Sequence, residues 1–422
     1  MNRDELSNHF STVRGMTEEI SRPLQTEDYV IQSMTDVSPP KWHLGHTTWF
    51  FERVVLQEFT PSYKPLNDRY YFIFNSYYQS FGDRVARDIR GTLSRPTVEE
   101  VYTYRDAINK RMIELLAAVE DKKYAKIAPL VELGLHHEQQ HQELLVTDIK
   151  HILSMNPLRP TYKARKTLPH GKEPAKSFVA FDEQVFCLGA DQNGFSWDNE
   201  RPQHKVFVNK FSLMNRPVTN GEYMEFMNDG GYTNPLLWLS DGWDTVGSQQ
   251  WNAPLYWEKV DDSWQIMTMG GLQPVEPTEP VAHVSYYEAN AFARWAGKRL
   301  PTESEWELAA KVHQVSAENG NFLEDGAFHP VAPVGSNGPL FQMMGDVWEW
   351  TGSSYLPYPG YQQERGPLGE YNGKFMSNQM VLRGGSCATP RNHIRSTYRN
   401  FFQCDKRWQF TGFRLASDMN ER

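Results

Sequence analysis

The chain has 422 residues, too many for one compact hydrophobic core, so two domains are expected. Its formal net charge of −9 comes from 43 basic and 52 acidic residues without a long block of one sign, which argues against a nucleic-acid or polybasic membrane surface. Its three cysteines, Cys187, Cys387 and Cys404, form no CxxC motif and fit a reducing compartment. With a polar amino terminus and no apolar stretch of membrane-spanning length, the composition predicts a cytoplasmic protein that acts on small molecules.

The amino-terminal part reads as helices joined by short breaks. An amphipathic segment covers about residues 4–20, and Ser38 before two prolines predicts a cap for a helix over residues 42–56. Thr97 and Glu100 form a capping-box pattern that opens a further helix. Together with a long helix that ends near residue 155, these make four helices, enough for a bundle that holds a metal between facing side chains.

A histidine pair is the strongest chemical signal in this part. His137 and His141 are four residues apart in a segment, 130–149, whose apolar residues recur at helical spacing, so both imidazoles lie on one helix face. Such pairs also occur as surface or core polar groups. A third ligand could come from His43 or His46, which are three residues apart. Three imidazoles would leave positions open on a catalytic ion, and imidazole suits both iron and zinc.

The second half has a different pattern. Residues 156–176 are basic and rich in proline, which indicates a linker. Beyond it, short alternating segments broken by glycine and asparagine predict strands, as at residues 185–189 and 205–208. Helices are expected at residues 285–297 and from Thr302. This half is therefore expected to be α+β.

Four features together resemble one known family. They are residues 36–46 (DVSPPKWHLGH), residues 75–78 (NSYY), residues 137–143 (HEQQHQE) and the tryptophan-rich second half. In combination they are similar to the ergothioneine-pathway sulfoxide synthases, the EgtB family, over nearly the whole chain.

The resemblance implies a fold for each part of the chain. Residues 1–155 would form a DinB-like, iron-binding four-helix bundle and residues 156–176 a linker. Residues 177–422 would form a C-type-lectin-like domain of the formylglycine-generating-enzyme type. The fold class of the whole chain is α+β.

Carried over to this sequence, the resemblance also implies a metal site. Iron(II) would be the cofactor, with ligands at His46, His137 and His141. Gln140 would hydrogen-bond the substrate imidazole; the alternative is that Gln140 is a surface residue solvated by water. Glu143 would orient an imidazole through its second ring nitrogen; its alternative is an exposed helix carboxylate.

Two further groups complete the expected site in the helical domain. Oxygen chemistry at ferrous iron needs a proton or hydrogen-atom donor, and relatives with NSYY imply Tyr77 or Tyr78 for this role. Packing among neighbouring aromatic residues would also explain both tyrosines. Arg87 and Arg90 would clamp the carboxylate of an amino-acid thiol by bidentate pairing, with a solvated charged face as the alternative.

Four segments of the second half resemble the formylglycine-generating-enzyme domain as fold signatures: residues 216–223, 298–307, 345–351 and 383–386. The cysteine pair of an active enzyme of that kind is missing, so formylglycine formation is not expected. Asn400, Phe401 and Phe402 resemble an element that meets hercynine, because a quaternary ammonium interacts with aromatic faces. Phe401 replaces a tryptophan of some relatives, and core packing is the alternative for both phenylalanines.

The implied activity is that of a hercynine oxygenase, an oxygen-dependent oxidoreductase that joins a cysteine-type thiol to hercynine as a sulfoxide. Its partners would be hercynine, the thiol and O2, without nucleic acid or membrane. The donor could be cysteine, γ-glutamylcysteine or a selenium analogue, and NSYY favours free cysteine. Two other functions fit parts of the pattern: a zinc-dependent DinB-type thiol transferase and a non-catalytic lectin-like binding protein.

Overall fold

The computed structural model describes residues 1–76, 78, 81–166, 174–333, 338–364 and 367–419. Its contacts divide the chain into two compact units. The amino-terminal unit is Met1–Lys163 with Gly366–Tyr371, and the carboxy-terminal unit is Ala164–Arg365 with Asn372–Arg422. In the described ranges, no helix combines the length and the apolar character needed to cross a membrane.

Helices build the amino-terminal unit. They are α1 (Arg3–Ser21), α2 (Pro40–Phe50), α3 (Gln57–Phe59), α4 (Tyr70–Ile73), α5 (Val98–Ala118) and α6 (Asp121–Ser154). A π-helical turn, Phe51–Leu56, continues α2 into α3, and a 3-10 helix, Arg87–Thr92, precedes α5. The long helices α1, α2, α5 and α6 pack on one another, with α2 against both α5 and α6. The predicted bundle of helices in the amino-terminal part of the chain is thus confirmed.

The structure confirms one predicted helix cap and contradicts another. Thr97 Oγ1 accepts the Glu100 N–H at 3.1 Å, and Glu100 Oε2 accepts the Thr97 N–H at 2.6 Å, so the capping box of α5 is confirmed. The predicted cap at Ser38 is wrong. Pro39 occupies the N-cap position of α2, because the Ser38 hydroxyl accepts a hydrogen bond from Arg90 instead, at 2.9 Å.

A buried ion network fixes α6 against α1 and α5. The Glu138 carboxylate accepts hydrogen bonds from Arg14 at 2.8 Å, from Arg105 at 2.6 Å and from Thr17 at 2.7 Å. Burial alone would raise the pKa of Glu138, but the two guanidinium groups lower it to about 2. Because Glu138 directly follows His137, the network sets the position of the histidine-bearing face of α6.

The carboxy-terminal unit is α+β, as predicted. Its strands are β1 (Phe178–Phe181), β2 (Gln184–Leu188), β3 (His204–Val208), β4 (Phe211–Met214), β5 (Trp257–Val260), β6 (Ser263–Thr268), β7 (Gly271–Pro274), β8 (Trp348–Ser354), β9 (Met380–Arg383), β10 (Asn400–Phe402), β11 (Thr411–Gly412) and β12 (Ala416–Asp418). Its helices are α7 (Asn220–Asn228), α8 (Ser240–Gln249), α9 (Tyr286–Trp295) and α10 (Glu303–Val312).

The strands of this unit form small sheets. One has the order β1-β4-β12 and another the order β10-β9-β8-β11, in which β11 runs parallel to β8. The pair β2-β3 and the meander β5-β6-β7 are antiparallel. Glu349 on β8 accepts two hydrogen bonds from Arg414, at 2.6 and 2.7 Å, and both side chains are fully buried. The pair therefore ties the end of the chain to the core of this unit.

Candidate metal centre

Three histidines from two helices converge inside the amino-terminal unit. His46 lies on α2, and His137 and His141 lie on α6. One ring nitrogen from each lies within 4.8 Å of the other two, and all three side chains are buried. The Nε2 atoms of His46 and His137 are 3.2 Å apart. Two helices packed face to face thus bring together imidazoles that are 91 positions apart in the sequence.

The chemistry of this donor set fits a cation. His46 Nδ1 donates to the carbonyl oxygen of Phe74 at 2.6 Å, which leaves its Nε2 as a lone pair facing His137. His141 Nδ1 contacts His43 at 2.9 Å, which leaves its Nε2 available. Facing lone pairs repel each other unless a proton or a cation lies between them. The three nitrogens are therefore arranged as metal ligands are.

Burial keeps these histidines in the neutral form that binds metals. Burial lowers the pKa of His137 to about 3. Burial, followed by the charge of His137, lowers the pKa of His46. The pKa of His141 is lowered by burial and by the two neighbouring histidines. At neutral pH each of these imidazoles is therefore uncharged and has one ring nitrogen without a proton, which is the form that binds a metal.

Aromatic rings enclose His46. Its imidazole is stacked on Trp42, with centroids 4.6 Å apart and 11° between planes, and on Trp49 at 5.5 Å and 15°. These residues lie four positions before and three positions after His46, the spacing that places side chains on one helix face. The Arg90 guanidinium carbon lies 3.4 Å from the Trp42 centroid. An apolar wall of this kind limits the access of water to the centre.

Tyr371, which the sequence did not single out, lies beside the centre. It belongs to the segment Gly366–Tyr371 of the amino-terminal unit. Its ring centroid is 5.7 Å from that of His137, and its hydroxyl donates to Gln140 Oε1. Gln140, a predicted substrate-binding residue, is itself half-buried at the centre. No motif could have identified Tyr371, because it is 231 positions away from Gln140.

Of the two predicted tyrosines, Tyr78 is among the described residues and Tyr77 lies outside them. Tyr78 is 1% exposed, and its ring lies 5.5 Å from Trp49 and 5.9 Å from Phe81. Tyr78 thus contacts Trp49, the residue whose ring is stacked on His46.

The two predicted arginines lie in the 3-10 helix Arg87–Thr92. Arg90 is buried and donates to the hydroxyls of Ser38 at 2.9 Å and Ser76 at 3.1 Å. Its charge helps to lower the pKa of His46 and His141, after burial and the neighbouring imidazoles. Arg87 is half-buried and donates to the carbonyl oxygen of Asp36 at 2.5 Å. Arg90 thus places a positive charge at the edge of the centre.

The histidine that was the alternative third ligand, His43, has a different set of contacts. Its Nδ1 faces His141 Nδ1 at 2.9 Å, and its Nε2 faces Asp148 Oδ2 at 2.9 Å. The sequence predicts that Glu143 orients an imidazole. In the structure, His141 Nδ1 contacts His43, and the carboxylate that faces the other nitrogen of His43 is that of Asp148.

The predicted hercynine element lies in the carboxy-terminal unit. Asn400, Phe401 and Phe402 form β10 at the edge of its sheet, and all three are half-buried. Phe401 is stacked on Tyr355, with centroids 4.0 Å apart and 11° between planes. Phe402 packs edge-on against Trp408 at 5.2 Å. Each phenylalanine thus has a packing role and keeps part of its surface exposed.

Comparison with known proteins identifies both parts of the chain. Residues 9–145 match the DinB superfamily, and residues 168–419 match the sulfatase-modifying factor enzyme 1-like domain. The hercynine oxygenase of Mycolicibacterium smegmatis is 32% identical over 413 residues, 91% of this chain and 92% of the relative. That of Mycolicibacterium thermoresistibile is 34% identical over 313 residues, 68% of each. Bovine formylglycine-generating enzyme is 28% identical over 300 residues, 60% of this chain and 78% of the relative. The chain therefore belongs to the hercynine oxygenase family and is an oxygenase with a DinB domain followed by a sulfatase-modifying-factor-like domain.

Proposed function

We propose that this protein is an iron(II)- and oxygen-dependent sulfoxide synthase of ergothioneine biosynthesis, which joins a cysteine-type thiol to hercynine. The observation that carries the proposal is the buried, neutral group of three histidines in a chain that matches a hercynine oxygenase over 91% of its length. The reaction forms a C–S bond and oxidises the sulfur to a sulfoxide. Dioxygen accepts four electrons, and its two oxygen atoms end in the sulfoxide and in water.

His46, His137 and His141 would hold the metal, each through Nε2. Three protein ligands leave positions open for substrates, whereas structural zinc sites usually have four protein ligands. A ferrous ion bound there would supply the electron-transfer chemistry that oxidation of the thiol by dioxygen requires. The protein contributes buried, aromatic surroundings and fixes the direction of two of the three imidazoles, His46 through Phe74 and His141 through His43.

A phenol beside the centre would donate the proton or hydrogen atom of the reaction. Tyr371 is the best placed of the described tyrosines, because its hydroxyl is already directed by Gln140 and its ring touches His137. Tyr78, one of the two tyrosines that NSYY implies, is the alternative within the described residues. The substrate imidazole would share the Gln140 oxygen with Tyr371.

The charged and quaternary groups of the substrates have candidate partners. The Arg90 guanidinium, with Arg87, would attract the carboxylate of the thiol substrate, since planar guanidinium pairs with carboxylate in two parallel hydrogen bonds. Phe401 and Phe402 would offer aromatic faces to the trimethylammonium of hercynine, and Asn400 an amide oxygen. Free cysteine is the proposed donor, with γ-glutamylcysteine and a selenium analogue as alternatives.

The deciding experiment is an oxygen-electrode assay of the full chain loaded anaerobically with ferrous iron. Hercynine is offered with cysteine and, separately, with γ-glutamylcysteine, and products are identified by mass. We expect oxygen uptake that needs hercynine, thiol and iron together, and a product with the mass of the sulfoxide. Stoichiometric zinc without oxygen uptake would support a DinB-type thiol transferase instead, and a protein that retains no metal would support a binding protein.

A further inference from the structure

We propose that His43 and Asp148 form a relay that positions His141 and thereby determines how tightly the three-histidine centre holds its metal. The inference rests on the proposed metal centre and goes beyond it, because neither residue belongs to the group of converging ligands. His43 comes from α2 and Asp148 from α6, the two helices that supply the ligands.

The contacts of the relay are short and dry. His43 Nδ1 lies 2.9 Å from His141 Nδ1, and His43 Nε2 lies 2.9 Å from Asp148 Oδ2. The same carboxylate oxygen accepts the backbone N–H of Ser38 at 2.9 Å. His43 is 2% exposed, Asp148 1% and His141 6%. At buried positions, two facing donors or two facing acceptors lower the stability of the fold, so each proton has one preferred position.

The pattern of donors fixes the tautomer of His141. An N–H is needed between the two facing Nδ1 atoms, and an ionised carboxylate has no proton to donate, so Asp148 Oδ2 accepts from His43 Nε2. His43 therefore carries its proton on Nε2 and presents a lone pair on Nδ1. His141 must then carry its proton on Nδ1, which leaves Nε2 for a metal.

The opposite arrangement is disfavoured at both ends. If His43 donated from Nδ1, its Nε2 lone pair would face the Asp148 carboxylate at 2.9 Å. His141 would then carry its proton on Nε2, where it blocks metal binding. The carboxylate at the far end of the relay thus selects the metal-binding form of a ligand that it does not touch.

The test measures the affinity of the full chain for Co(II), by competition with a chelator under nitrogen. In His43→Phe the acceptor for His141 is lost, and we expect binding about 10- to 100-fold weaker than in the wild-type protein. His43→Asn keeps an oxygen near the position of Nδ1 and should recover most of the affinity. Asp148→Asn keeps an acceptor but loses the charge, so its affinity should lie between those of the wild type and His43→Phe.

His329→Phe is the matched control. His329 is also a buried histidine paired with a carboxylate, Glu279 at 3.0 Å, but it lies in the carboxy-terminal unit. Its replacement should leave the Co(II) affinity unchanged. Circular dichroism and thermal unfolding of each variant without metal will show that the fold is retained.

Two results would overturn the relay. One is a folded His43→Phe protein that binds Co(II) as tightly as the wild type. The other is a wild-type Cu(II) form with four bound imidazoles, counted by electron spin echo modulation, which would make His43 a ligand. A wild-type protein that binds neither Co(II) nor Fe(II) would instead overturn the proposed centre itself, and the relay with it.

Discussion

The imidazole of His137 differs from those of its two partners. His46 and His141 each have a hydrogen bond that directs the ring, but the buried Nδ1 of His137 has no hydrogen-bond partner among the described residues. Its position depends instead on its packing against Phe50, with centroids 4.9 Å apart, and on Tyr371. The orientation of His137 is therefore set by packing and not by a hydrogen bond at its second ring nitrogen.

Replacement of His137 by alanine should abolish stoichiometric metal binding and with it the oxygen uptake. Two ring nitrogens that lie on different helices are then left, and a catalytic site of this type needs three protein ligands. Metal content after anaerobic loading is the measurement. His9→Ala, the loss of a histidine on α1, is the control and should retain a full equivalent of metal.

Replacement of Tyr371 by phenylalanine should lower kcat about 10²- to 10⁴-fold, the usual range for the loss of a proton donor. Metal affinity should stay unchanged, because the ring that packs against His137 is kept. The comparison is with Tyr78→Phe in the same steady-state assay. A larger loss in Tyr78→Phe than in Tyr371→Phe would assign the donor to the NSYY segment instead.

At the scale of elements, the centre depends on how closely α2 and α6 approach each other. Gly134 on α6 permits the approach, since a Cβ at this position would lie 2.6 Å from Phe51 Cε1 and 2.8 Å from Phe50 Cε1. Gly45, next to His46, is equally restricted, since a Cβ there would lie 2.1 Å from the ring of Phe74. Gly134 thus lets α6 approach α2, whereas Gly45 makes room for Phe74, whose carbonyl oxygen accepts the hydrogen bond that directs His46.

Gly134→Ala should lower the free energy of unfolding by about 1–3 kcal/mol, the cost of an added methyl group in a filled core. It should also weaken metal binding, because α6 must move away from α2. Gly15→Ala on α1 is the matched control: a Cβ there meets nothing within 4 Å, and alanine stabilises a helix by about 0.5–1 kcal/mol over glycine. Urea titrations of both variants give the comparison, and equal effects would contradict the packing argument.

At the scale of the whole molecule, buried ionisable groups make stability depend on pH. Asp346 in the carboxy-terminal unit is buried and accepts hydrogen bonds from Asn321 at 2.9 Å, Gln342 at 2.9 Å and the Val331 N–H at 3.0 Å. Burial outweighs these bonds and raises the pKa of Asp346 from 3.8 to about 6. The folded protein therefore binds a proton here that the unfolded chain releases.

The sign of the effect follows from linkage. A folded-state pKa above the unfolded value stabilises the fold at low pH, and this contribution is lost as the pH rises through about 6. The difference in unfolding free energy between wild type and Asp346→Asn should shift by about 1 kcal/mol in favour of the wild type when the pH falls from 7 to 5. Denaturant titrations at both pH values measure it. The exposed Asp262→Asn is the control for the loss of a carboxylate at the surface.

Much of the fold could be predicted because its signals are local. Helical spacing placed His137 and His141 on one face of α6, and the pair Thr97 and Glu100 marked the start of α5. Such patterns depend on residues within one or two turns, so the sequence contains all the information. The Ser38 cap failed because a residue 52 positions away, Arg90, bonds the hydroxyl that a local cap would have used.

The sequence by itself determined the fold class, the two parts of the chain and the histidines that are proposed to bind metal. Spacing alone left His43 and His46 as alternatives and the family resemblance pointed to His46; the tertiary structure gives the physical reason, because the crossing of α6 brings the ring of His46 to His137 and that of His43 to Asp148. It also brought Tyr371 to the centre and made Asp148 the far end of a relay. These contacts join residues about 90 or more positions apart, and the physical reason that no pattern reveals them is that packing, not spacing along the chain, sets such distances.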